Sequence, residues 1–189
     1  MRGHPVISRR SIASDQALDG RTLSGYAAVY NQDSREIVEQ GRKFVERIAP
    51  GAFNETLSAG GDVKLYYNHD TSMPLARTRS GTLELASDRN GLKFTASLPD
   101  TTLGNDVRAL IERGDLSGEM SFGFFVSEDS WNKNRTERLV KRATLVEISV
   151  VQDAAYPQTS SSLRSVSAAY TEAVYARLAL HFRRMADHV

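Results

Sequence analysis

Short runs in which apolar residues alternate with polar ones fill most of the chain, a period of two that is typical of β-strands. Clusters of Gly, Pro, Asn, Asp and Ser separate these runs and supply the turns between strands. The pattern predicts about eight short strands. They cover residues 25–30, 36–39, 43–48, 63–67, 82–86, 92–96, 120–126 and 143–151.

Three stretches instead repeat their apolar residues every three or four positions, which predicts helices. A short helix follows Pro50, with Phe53 and Leu57 on one face, and a second covers residues 102–113 and ends at Gly114. A long amphipathic helix is predicted near the C-terminus. This last helix either packs on the rest of the domain or binds a partner, including a second copy of the chain.

The strands do not alternate regularly with helices, so a parallel α/β sheet is not expected. The pattern predicts a mainly β protein with helices, in which a small, mostly antiparallel sheet closes or nearly closes into a barrel surrounded by helices. Within this sheet, Asn90 and Gly91 predict a tight hairpin turn that uses positive φ angles.

The same pattern divides the chain into three regions. Residues 1–20 are mostly small and polar and predict a flexible arm with room for a first strand. Residues 21–157 form the predicted β-barrel domain, and residues 158–189 a polar linker followed by the amphipathic helix.

Composition narrows the classes of function. The 189 residues, 40% of them hydrophobic, are enough for one domain with a core. The formal net charge of +1 gives no reason to expect nucleic-acid binding, and no apolar run is long enough to span a membrane. We therefore expect a soluble, intracellular protein. Because the chain has no cysteine, a nucleophile must come from Ser, Thr, Lys or a carboxylate.

One serine has a setting that suits a nucleophile. Ser121 lies among apolar and aromatic residues, between Gly118 and Gly123, directly after the predicted helix and its stop. The two glycines leave room for another chain segment to approach closely. A buried strand can also simply contain a packed serine, and the local pattern does not separate these alternatives.

A serine nucleophile needs a general base, and the chain has few candidates. His4 lies in the arm, and His181 and His188 lie in or after the terminal helix, whereas His69 follows a predicted core strand. Elimination makes His69 the candidate base for Ser121, the alternative being a structural histidine. No two histidines have the spacing of metal ligands, so neither a metal nor a cofactor is expected.

A carboxylate interrupts the most strand-like run of the sequence. Strand alternation there predicts Leu145, Glu147 and Ser149 on one face. A buried carboxylate is costly unless it is paired, so Glu147 either orients the imidazole of His69 or forms an ion pair with a basic side chain. Asp70 and Asp153 are the other candidates for the orienting group.

Several of these segments together resemble one known family. The segments follow one another in the order seen in the prohead proteases of tailed bacteriophages, and the resemblance spans about residues 23–157. They are Gly25-Tyr26-Ala27-Ala28-Val29-Tyr30-Asn31, Glu46-Arg47-Ile48-Ala49-Pro50-Gly51-Ala52-Phe53, Tyr67-Asn68-His69-Asp70, Gly118-Glu119-Met120-Ser121-Phe122-Gly123-Phe124, Leu145-Val146-Glu147-Ile148-Ser149-Val150-Val151 and Ala155-Tyr156-Pro157.

The resemblance implies a fold and a site. This family is similar to the herpesvirus capsid-maturation proteases, which have a small β-barrel ringed by helices and a serine–histidine mechanism. Ser121 then matches the nucleophile and His69 the base. The herpesvirus relatives use a second histidine as third member, which the core of this chain lacks, so Glu147 is the expected substitute. Backbone N–H groups near Phe122 or Gly123, or a nearby arginine, are the expected oxyanion donors.

The resemblance also implies a biological role. It predicts an endopeptidase that cleaves the scaffolding segment of the major capsid protein, and then itself, inside the immature prohead in the host cytoplasm. The arm and the linker are the expected regions of self-cleavage, and self-association as a homodimer or a larger oligomer is expected. The alternative function is a non-catalytic scaffold or capsid-binding module on a protease-like barrel, with the terminal helix as its contact surface.

Overall fold

The computed structural model describes residues 7–13, 17–39, 41–116 and 119–152, and these residues are mostly β with few helices. Within them no helix is long and apolar enough to cross a membrane. The strands are β1 (Ser8–Ala13), β2 (Ala17–Asp19), β3 (Thr22–Val29), β4 (Ile37–Glu39), β5 (Arg42–Ile48), β6 (Lys64–Tyr67), β7 (Asp70–Arg77), β8 (Leu83–Ser87), β9 (Gly91–Ser97), β10 (Glu119–Trp131) and β11 (Glu137–Val150). The helices are α1 (Asn54–Ser58), α2 (Thr102–Arg113) and the 3₁₀ turn Thr78–Ser80.

Strand β11 is the centre of the larger sheet. One of its edges pairs antiparallel with β10, which in turn pairs antiparallel with β1. Its other edge is shared by two parallel neighbours, β5 at the beginning of β11 and β6 at its end. The strands β4 and β7 extend the sheet from β5 and β6 as antiparallel hairpin partners. The C-terminal end of β11 therefore lies between β10 and β6.

The connection between β5 and β6 covers the middle of β11. The amide N–H of Ala143 donates to the carbonyl of Ala52 at 2.9 Å, and the amide N–H of Leu145 donates to Oγ1 of Thr56 at 3.0 Å. These contacts satisfy backbone donors of β11 that have no strand beside them at this point.

A smaller antiparallel sheet in the order β2-β3-β9-β8 completes the fold, and the apolar side chains of both sheets form one core. Phe53, which precedes α1, packs edge-on against Phe122 and Phe124 of β10, with ring centroids 5.9 and 6.0 Å away. All three rings are buried. Because side chains alternate between the two faces of a strand, Ser121, which precedes Phe122, belongs to the opposite face of β10.

Most locally specified elements are where the sequence predicts them. Helix α2 has the side chain of Thr101 as its N-cap and ends at Gly114, whose φ is +77°. The β4–β5 and β8–β9 hairpins are also present. The predicted number of strands is too low, because the described residues contain eleven. Two of the additional strands, β1 and β2, lie within the predicted arm, while the predicted linker and terminal helix lie outside the described residues.

The turn of the β8–β9 hairpin differs from the predicted one. Positive φ angles occur at four described non-glycine residues, and Asn90 is not among them; Gly91 likewise has no positive φ. Instead Oδ1 of Asp88 accepts hydrogen bonds from the backbone N–H groups of Asn90 and Gly91, at 2.7 and 3.0 Å. Glycine is needed at position 91 for space, because a Cβ there would lie 2.1 Å from the carbonyl oxygen of Ala28.

This difference gives a stability prediction. Gly91→Ala should lower the free energy of unfolding by about 1–3 kcal/mol, since the methyl group would overlap backbone. Asn90→Ala should change it by no more than about 0.5 kcal/mol, because Asn90 does not need a left-handed conformation. Urea unfolding of both variants checks this. Equal losses from the two substitutions would contradict the observed turn.

Candidate active site

Three neighbouring strands bring the predicted site residues together. In the ladder, Ser121 of β10 lies opposite Ser149 of β11, and Ser149 lies beside Tyr66 of β6. Antiparallel partners share a sheet face, and so do residues two apart on one strand. Ser121, Ser149 and Glu147 therefore belong to the same face of the sheet, and β6 leads directly to His69.

His69 is held in a tight turn. Tyr67 pairs with Asp70, so Asn68 and His69 alone connect β6 to β7, with φ angles of +51° and +60°. Positive φ at both central residues is typical of a two-residue type I′ hairpin turn. Asn68 anchors this turn to the end of β11, since its N–H donates to the carbonyl of Val150 at 2.9 Å and its Oδ1 accepts from the N–H of Gln152 at 3.0 Å.

The carboxylate of Glu147 is the polar centre of the site. Glu147 is 1% exposed, and its Oε1 lies 2.9 Å from Nδ1 of His69 and 3.1 Å from Nε of Arg9. Its other oxygen, Oε2, accepts a hydrogen bond of 2.9 Å from the hydroxyl of Ser149. Both carboxylate oxygens thus have partners, as a buried charge requires.

Burial and these partners act in opposite directions on the carboxyl group. Burial raises the pKa of Glu147, but the hydrogen bond and charge of His69, the charge of Arg9 and the hydrogen bond of Ser149 together outweigh it. The pKa of Glu147 consequently lies below its ordinary value of 4.5. Glu147 is therefore ionised at neutral pH.

An ionised carboxylate fixes the tautomer of the neutral imidazole. A carboxylate can only accept hydrogen bonds, so Nδ1 of His69 must carry the proton that joins the two side chains. The other ring nitrogen, Nε2, is then unprotonated and able to take a proton. The His69 side chain is 21% exposed, which leaves it accessible from solvent.

Ser121 lies on the same sheet face but has a different hydrogen-bond partner. The residue is 1% exposed, and its Oγ donates to the backbone carbonyl of Arg10 on β1 at 2.9 Å. Within the part of the chain that the structure describes, no hydrogen bond joins Ser121 to His69. The structure thus joins His69 to Glu147 directly and places Ser121 nearby with its hydroxyl turned to β1.

A β-bulge and a glycine make room for the carboxylate. The register between β10 and β11 skips Val146, so Gly123 pairs with Glu147 while Phe124 pairs with Leu145. Leu145 consequently lies in the apolar core, and the prediction that it shares a face with Glu147 is wrong. A Cβ at Gly123 would lie 2.8 Å from Cγ of Glu147 and 3.0 Å from its Oε1, so glycine provides the space that this side chain fills.

The other predicted candidates and partners are placed differently. Asp70 is exposed and accepts hydrogen bonds from the N–H and hydroxyl of Ser72. Asp153 lies outside the described residues. The ion pair of Glu147 with a basic side chain, predicted as the alternative to His69, is present in addition to the His69 contact, and Arg9 supplies it. The contact of Ser149 with Glu147 was not predicted. The spacing of two residues between Glu147 and Ser149 was a usable signal, whereas no local pattern connects Arg9 with β11.

The buried carboxylate gives a pH-dependent stability prediction. With a lowered pKa in the folded state, Glu147 contributes its full stabilisation above pH 4.5 and loses it as the pH falls through the lower folded-state value. The free energy of unfolding of the wild type minus that of Glu147→Gln should therefore decrease as the pH is lowered from about 6 to about 3. Urea titrations at each pH measure it, and a constant difference would count against an ionised Glu147.

Comparisons with known proteins identify the family of the chain. The family model of the caudovirus prohead serine protease matches residues 8–173. Among solved structures, the bacteriophage T4 capsid assembly protease, gp21, is similar with a TM-score of 0.51 and 10% sequence identity, over 79% of this chain and 98% of that chain. At this identity the likeness shows the fold alone. No curated protein matches the sequence. Because the family match covers most of its 189 residues, the chain belongs to the caudovirus prohead serine proteases.

Proposed function

We propose that the protein is a serine endopeptidase in which Ser121 is the nucleophile and His69 the general base. Glu147 orients the imidazole of His69 and stabilises the imidazolium that forms when His69 takes a proton. The observation that carries this proposal is the 2.9 Å contact between Nδ1 of His69 and the buried carboxylate of Glu147. It leaves Nε2 of the imidazole as a proton acceptor, as a serine–histidine mechanism requires.

The reaction begins when the Ser121 hydroxyl turns from the Arg10 carbonyl to Nε2 of His69. His69 takes the hydroxyl proton as Oγ forms a bond to the scissile carbonyl carbon, giving a tetrahedral oxyanion. His69 then gives the proton to the amine as the C–N bond breaks. Water, deprotonated by His69, attacks the resulting ester. The bond between the acyl carbon and Oγ then breaks, His69 returns its proton to Oγ, and the acid is released, which restores Ser121. Backbone N–H groups near Phe122 or Gly123, or an arginine, stabilise the oxyanion.

The proposed substrate is the scaffolding segment of the major capsid protein, followed by the protease itself. The family membership and the name of the T4 relative, a capsid assembly protease, support this choice. The proposed setting is the interior of the immature prohead in the host cytoplasm, where copies of the chain associate with one another. The proposed fold is a β-barrel with helices outside it.

Replacing the nucleophile tests the reaction. Co-expression of the wild type with its cognate capsid protein should shorten the capsid protein, and Ser121→Ala should abolish this shortening because the acyl-enzyme cannot form. Gel electrophoresis and intact mass spectrometry measure it. Ser24→Ala, a half-buried serine on β3, is the matched control and should process normally.

Two outcomes would reject the proposal. Equal processing by the wild type and Ser121→Ala would exclude Ser121 as nucleophile. Capsid binding without processing in any sample, lost when residues 165–189 are removed, would instead identify a non-catalytic scaffold module.

The role of Glu147 is tested by a second substitution. Glu147→Gln should lower the processing rate by about 10²- to 10⁴-fold, since the amide no longer fixes the tautomer of His69 or stabilises the imidazolium. Glu128→Gln is the matched control, because it makes the same change at a partly exposed carboxylate of β10 that forms an ion pair with Arg142 of β11. Its rate should stay within a few-fold of the wild type. Near-normal processing by Glu147→Gln would transfer the orienting role to another carboxylate.

A further inference from the structure

A segment of the chain itself fills the sheet edge beside the proposed nucleophile. Strand β1 pairs antiparallel with β10 through six residue pairs, from Ser8 opposite Phe124 to Ala13 opposite Glu119. In this register Ser11 lies directly opposite Ser121. The edge of β10 is where an extended peptide would add as a further strand, and β1 occupies it already.

This occupation engages the hydroxyl that the reaction needs. Oγ of Ser121 donates its proton to the Arg10 carbonyl, so the same proton is not directed at His69. With the residue 1% exposed, a substrate carbonyl has no access to Oγ. In this arrangement the hydroxyl is neither directed at His69 nor open to a substrate.

The base is also affected by β1. Nε of Arg9 and Nδ1 of His69 contact the same carboxylate oxygen, Oε1 of Glu147, at 3.1 and 2.9 Å. A guanidinium that shares this oxygen neutralises part of the charge that would otherwise stabilise the imidazolium of His69. Withdrawal of Arg9 would return the full carboxylate charge to His69.

The contacts that the structure describes for residues 8–11 of β1 are mostly polar. Arg10 donates to the buried carboxylate of Glu46 through Nε at 2.6 Å and through a terminal nitrogen at 3.2 Å. Glu46 keeps a second partner, Arg138, at 3.1 Å. Residues 8–11 contribute no side chain to the apolar core. Residues 8–11 lie at a sheet edge and can leave without removing an apolar side chain of their own from the core.

We propose that β1 holds the protein in a latent state by filling the substrate-binding edge of β10, and that it must leave before a substrate strand can bind there. This inference rests on the proposed function of Ser121. It assigns Arg9 and Arg10 as the positions that fasten the latent strand. The substrate is accordingly an extended peptide segment that replaces β1 beside β10.

A reversible disulfide between β1 and β10 tests this proposal. Because the chain has no cysteine, the double variant Ala13→Cys with Glu119→Cys places one thiol pair on directly opposed residues of β1 and β10. The oxidised form should cleave purified capsid protein at least about tenfold more slowly than the same sample after reduction, given that β1 cannot leave. The wild type should be unaffected by the reductant.

Loosening β1 should have the opposite effect. Arg10→Ala removes the ion pair with Glu46 and should accelerate cleavage, and labelling of Ser121 by a fluorophosphonate, by about tenfold to a hundredfold. Arg21→Ala is the matched control. Arg21 lies between β2 and β3 of the smaller sheet and forms an ion pair with Asp100, which precedes α2. Its rates should match the wild type. Circular dichroism of each variant checks that it is folded.

The outcomes separate this inference from the proposed function. Equal cleavage by the oxidised and reduced double variant would overturn the latent strand while leaving the protease assignment intact. The latent strand is likewise overturned if folded Arg10→Ala is no faster than Arg21→Ala. Absence of cleavage and labelling in every sample would overturn the proposed function, and the inference with it.

Discussion

The buried carboxylate of Glu147 is the constraint on which the site depends. A charge in the middle of an apolar strand is tolerated only if hydrogen bonds and opposite charges replace water. The side chains that replace water around Glu147 come from three segments of the chain. His69 comes from the β6–β7 turn, Arg9 from β1 and Ser149 from β11 itself. The cost of burying one carboxylate thus fixes the positions of three chain segments relative to one another.

The sheet topology makes this convergence possible. Because β11 has β10 on one edge and β6 on the other at its C-terminal end, Ser121 of β10 and the turn that carries His69 both lie beside the part of β11 that carries Glu147. The bulge at Val146 turns Glu147 away from the core that Leu145 enters, and Gly123 leaves the space for its side chain. The bulge and the glycine both make room for the side chain of Glu147. This supports the proposal that Ser121, His69 and Glu147 form a catalytic site.

The sequence predicted the elements that depend on residues close together along the chain. Helix α2, the β8–β9 hairpin and the strand end at His69 follow from local periodicity and turn residues. A carboxylate in an apolar run demands a partner, for which the sequence offered either His69 or a basic side chain, and the structure has both. The bulge at Val146, the parallel pairing of β11 and the docking of β1 were not predicted, since each depends on contacts between residues far apart in sequence.

The central claim is that Glu147 fixes His69 as a base with Nε2 free. The most direct measurement is the nitrogen chemical shifts of the His69 imidazole in ¹⁵N-labelled protein at a pH where the ring is neutral, with His69→Gln used to assign the signals. We predict a proton on Nδ1 and none on Nε2, and loss of this preference in Glu147→Gln. A proton on Nε2 in the wild type would contradict the claim.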